Sequence, residues 1–182
     1  MADRGGFILE EYKLNVLFAL EWALPANIRL FLPVPVNYNP KFRDWAYISL
    51  RYLEAFSKIK YPVKAITTTG AGDLGDENSP WFKYSYMFTE ELVEKPKINL
   101  VLGFGNIFET RWTVDMVNIG LTCSYPRAAR LEEIKDLKKY ERVWAMTNRT
   151  KDDLMKLEIE SDVIPPEPHI IELVLKEYLL GD

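Results

Sequence analysis

Short apolar runs alternate with amphipathic stretches along this chain, and the change of spacing between them predicts an α/β fold. Ile28–Leu32 and Pro62–Thr68 read as strands, and Ile98–Gly103, Leu121–Pro126 and Arg142–Asn148 are brief, apolar and closed by Gly, Pro or Asn, as buried parallel strands are. Pro33 and Pro35 end the first of these near Leu32, because each proline removes a ladder donor. Between the first two runs, Phe42, Trp45, Ala46, Ile48, Ser49, Tyr52, Leu53 and Phe56 recur at helical spacing. Asn39-Pro40 supplies a start signal, so a helix is predicted to end near Lys60.

Further helices are predicted over Thr110–Ile119 with Gly120 as C-cap, over Ala128–Tyr140, over Thr150–Leu157 and over His169–Leu180. Trp81–Met87 reads as a short strand, and Thr89 as the cap of a turn of helix to Val93. Asp162–Pro166 reads as a last strand or extended exit. Thr69–Pro80, rich in Gly and acids, reads as a surface loop. Ile8–Leu24 fits either a helix or a strand at the edge of the sheet, closed by Pro25. The expectation is one Rossmann-like α/β domain over residues 1–182: a three-layer fold with a mostly parallel central sheet, helices on both faces, an N-terminal helix or edge strand over 1–25 and a terminal helix over 169–182.

Composition narrows the chemistry. The chain has 182 residues and a formal net charge of −4, which gives no general attraction to phosphate backbones, so nucleic acid is not an expected partner. No apolar run reaches the roughly 18 residues of a membrane span, and the N-terminus lacks the order of a secretory signal; an intracellular, cytoplasmic location is the expectation. Cys123 is the single cysteine and His169 the single histidine, which leaves no metal cluster of either type. Cys123 reads as a small buried hydrophobe and His169 as part of the start of the last helix. Aromatic residues, at 13%, exceed what a core alone requires. Trp81, Phe82, Tyr84 and Tyr86 are candidates for a protein interface.

Candidate binding residues follow from the topology, since a parallel sheet places its functional loops beyond the carboxyl ends of its strands. Asn37 and Tyr38 follow the first strand, Asn106 the third, Tyr125 and Arg127 the fourth, and Asn148 and Arg149 the fifth. The two arginines, beside hydroxyl and amide side chains, suit an anionic group, although the same residue types also fill ordinary turns and N-caps. Arg111 and Arg130 read as solvated. Gly103-Phe104-Gly105 lacks the third glycine of a dinucleotide fingerprint. Gly70-Ala71-Gly72-Asp73-Leu74-Gly75 fits the bare pattern without a helix behind it. There is no P-loop and no nucleophile elbow, and no residue has a clear catalytic role.

The stretch Arg142-Val143-Trp144-Ala145-Met146-Thr147-Asn148-Arg149-Thr150-Lys151-Asp152-Asp153-Leu154, then Ile159 and Asp162-Val163-Ile164-Pro165-Pro166, resembles the end of the N-terminal domain of GT-B glycosyltransferases. There a strand delivers a Ser/Thr/Asn turn, a helix with Lys and Leu follows, and a Val-Ile-Pro segment leads into a second domain. In element order the resemblance covers about half of the chain. It implies a sugar acceptor bound by this domain, a nucleotide-sugar as co-substrate on a facing domain, and transfer without a metal or other cofactor. The partner it implies is that second domain; self-association, a further copy of this chain, belongs instead to a noncatalytic interaction module that uses Trp81, Phe82, Tyr84 and Tyr86. The paired glutamates of the donor domain have no counterpart here, and Val36-Asn37-Tyr38-Asn39 stands where a glycine-rich loop is usual. The chain is thus expected to be the acceptor half of a longer enzyme or a small protein that keeps one such domain.

Overall fold

The computed structural model describes residues 28–33, 43–67, 78–88, 96–103, 107–111, 114–123 and 135–180. The expectations for 1–25, Asn39-Pro40, residues 69–77 of the glycine-rich loop and Thr89–Val93 lie outside these residues. Strands β1 (Ile28–Leu32), β2 (Val63–Thr67), β3 (Ile98–Leu102), β4 (Val117–Thr122), β5 (Arg142–Ala145) and β6 (Asp162–Val163) form one sheet in the order β2-β1-β3-β4-β5-β6. Every pairing is parallel. The order is that of a doubly wound, Rossmann-like α/β sheet of the 2-1-3-4-5 type, extended by one strand.

Alternate residues of each strand serve opposite faces. Ile28, Leu30, Leu32, Ile98, Leu100 and Leu102 belong to one apolar cluster, which helices α1 (Arg43–Phe56) and α4 (Pro168–Leu180) cover. α1 contributes Trp45, Tyr52, Leu53 and Phe56, and α4 contributes Ile171, Leu175 and Leu179 at four-residue spacing. The Tyr52 hydroxyl donates to the Ile164 carbonyl at 2.6 Å, tying α1 to the exit from β6. α4 begins with proline at its first position, and the Lys97 ammonium reaches the Leu179 carbonyl at its far end at 3.3 Å. On the other face, Phe31, Val101, Val143 and Ala145 pack with Phe108, Leu137, Tyr140 and Leu154. These come from α2 (Ile107–Arg111), a 3-10 helix Lys135–Lys139 and the residue after it, and α3 (Asn148–Met155).

Three expectations are corrected. Thr110–Ile119 is not a helix capped by Gly120: α2 ends at Arg111, and Gly120 sits within β4, which starts at Val117 rather than Leu121. Asn118 and Gly120 interrupt an apolar run and so imitate a helix end. In the sheet, Asn118 is paired to Asn99, and Gly120 lies under Leu137, whose Cδ2 would be 2.5 Å from an added Cβ. Trp81–Met87 is not a strand either. Residues Phe82–Met87 form a 3-10 helix in which Trp81, Tyr84 and Met87 are buried, a period of three residues where a strand would show two. Finally, the described part of Ala128–Tyr140 holds the 3-10 helix alone. The helix predicted from Thr150 starts earlier, at Asn148.

Candidate functional site

In a doubly wound sheet the crevice for a ligand opens at the carboxyl ends of the strands, where successive connections leave in opposite directions. Here the chain passes from β1 to β2 on one side, then back across β1 to β3, so the switch point lies between Leu32 and Leu102. Gly103 stands at its rim. Its N–H donates to the Leu121 carbonyl at 3.1 Å, and its own carbonyl accepts from the Thr122 hydroxyl at 3.3 Å. A Cβ on Gly103 would meet Ile107 Cγ2 at 2.8 Å, so glycine is what lets α2 start directly against the strand end.

Asn37, Tyr38, Asn106, Tyr125 and Arg127 lie outside the described residues. Asn148 and Arg149 are described, and both are exposed in the first turn of α3, directly beyond β5. Thr147 is the N-cap of that helix. Its Oγ1 accepts from the Thr150 N–H at 3.2 Å and lies 3.0 Å from the Thr150 hydroxyl. Asn148 and Arg149 are thereby presented on a fixed helix end, which carries partial positive charge.

Two more groups come to this edge. Cys123 follows β4 directly and is half-buried; burial pushes its thiol up to about 11, so it is protonated near neutral pH and is a poor nucleophile. The Asp44 carboxylate, in the first turn of α1, is close enough to push the thiol further in the same direction. In sequence Asp44 carries no signal, since an acid early in a helix is unremarkable; its approach to Cys123 depends on how α1 packs on the sheet. Among the described residues no three His, Cys, Asp or Glu side chains converge as metal ligands. No helix among them is long and apolar enough to cross a membrane.

His169 is exposed near the start of α4, with its Nε2 3.6 Å from the Glu167 carboxylate. Arg111, read as solvated, instead lays its guanidinium 4.5 Å from the centre of the Phe31 ring. Of the four aromatics proposed for an interface, Trp81 and Tyr84 are core residues; Phe82 and Tyr86 are exposed, at 42% and 37%. No protein-family model matches the chain, and no match is found among curated proteins or solved structures.

Proposed function

We propose that this chain is a glycosyltransferase-like domain of the GT-B type, binding a sugar acceptor at the carboxyl edge of its sheet while a nucleotide-sugar is held by a facing domain. The observation that carries the reading is the unit from Arg142 to Pro166. β5 delivers Thr147, Thr147 caps α3, and the chain returns to the short edge strand β6 and leaves through Ile164-Pro165-Pro166. This is the order that the resemblance implies for the end of such a domain. The acceptor-binding residues of the proposal are Asn37, Tyr38, Asn106, Tyr125, Arg127, Asn148 and Arg149; each comes after a strand in the sequence, and of these Asn148 and Arg149 are described, directly beyond β5.

Calorimetric titration with a panel of disaccharides and, separately, of nucleotide-sugars tests the reading. Saturable disaccharide binding, weakened about tenfold or more by Arg127→Ala or Arg149→Ala with little change in melting, is the expected result for a charge-assisted contact. Binding of nucleotide-sugars alone would move the donor site onto this domain. Binding of neither would remove the proposal. A second reading, a noncatalytic interaction module, draws on exposed Phe82 and Tyr86. Light scattering that shows a monomer across a wide concentration range counts against its self-associating form.

A further inference from the structure

We draw no further inference here: the strongest candidate, a cavity of about 370 Å³ at the amino ends of β5 and β6, is rimmed by exposed charges of both signs, Glu141, Arg142, Glu158, Glu160 and Asp162, and the buried Ser161 hydroxyl in its wall has no surface that a ligand could reach.

Discussion

On one face of the sheet Ile28, Leu30 and Leu32 of β1 lie beside Ile98, Leu100 and Leu102 of β3 and Ile119 and Leu121 of β4, each out of solvent beneath α1 and α4. On the other face the same three strands present Arg29, Asn99 and Asn118 in a single row, Arg29 opposite Asn99 and Asn99 opposite Asn118. The Arg29 Nε–H donates to Asn99 Oδ1 at 2.9 Å. Asn99 Nδ2 donates to Asn118 Oδ1 at 2.7 Å and to the Arg111 carbonyl at 2.8 Å, while the Glu141 carboxylate accepts from the Asn118 backbone N–H at 2.8 Å. The apolar face supplies buried area and is indifferent to a slip of two residues, since Leu30 would simply meet Ile98 or Leu102. The polar row is not indifferent: the same slip would set Arg29 against Val101. One face gives cohesion and the other fixes register. Burial beside Arg111 lowers the Arg29 pKa, so the row is held together at an electrostatic cost.

The largest effect should come from the apolar face. Leu100 is fully buried in the central strand, and Leu100→Ala is expected to remove about 3–4 kcal/mol in urea unfolding, transfer and cavity terms together. A loss below about 1 kcal/mol would mean that this face is not close-packed.

Next comes the polar row. Asn99→Ala deletes little volume but strips partners from Arg29, Asn118 and the Arg111 carbonyl, so a loss of about 2–3 kcal/mol is expected from the stranded groups. A cycle with Asn118→Ala sharpens the contrast. The two sites should couple by about 0.5 kcal/mol or more, whereas additive effects would show that the row is a set of separate contacts.

This division of labour also explains what the sequence made legible. Runs whose residues are apolar on both faces, such as Ile98–Leu102 apart from Asn99, announced themselves, and so did α1 and α4, whose stripes follow helical spacing. With the ends of β1, β3 and β5 located, the edge that carries the candidate loops was located too, though the sequence could not pair Asp44 with Cys123 across it. β4 imitates a helix end in sequence because its polar and glycine positions have meaning only in the company of Asn99 and Leu137, which no local pattern reveals. Gly120→Val tests that account: a side chain driven into Leu137 and Tyr140 should cost about 1–2 kcal/mol, although valine favours strands. A neutral or stabilising result would show that the 3-10 helix Lys135–Lys139 does not press on the sheet there.

The smallest expected effect has the opposite sign and concerns how α3 is returned to the polar-row face. After Met155 the chain closes with the Ile159 N–H donating to the Leu154 carbonyl at 3.0 Å and the Glu158 N–H to the Met155 carbonyl at 3.0 Å. This ending carries Leu157 and Ile159 back onto the cluster of Phe31 and Val101. It requires a residue with positive φ, a place where glycine is usual, and Glu158 occupies it at φ 60°. The glutamate side chain gives little in exchange: its carboxylate is 4.0 Å from the Lys138 ammonium in a solvent-exposed pair. Glu158→Gly removes the left-handed strain while giving the unfolded chain more freedom, and the balance should raise stability by about 0.5–1 kcal/mol. Equal stabilisation by Glu158→Ala, which keeps a Cβ, would assign the gain to the lost carboxylate rather than to the backbone.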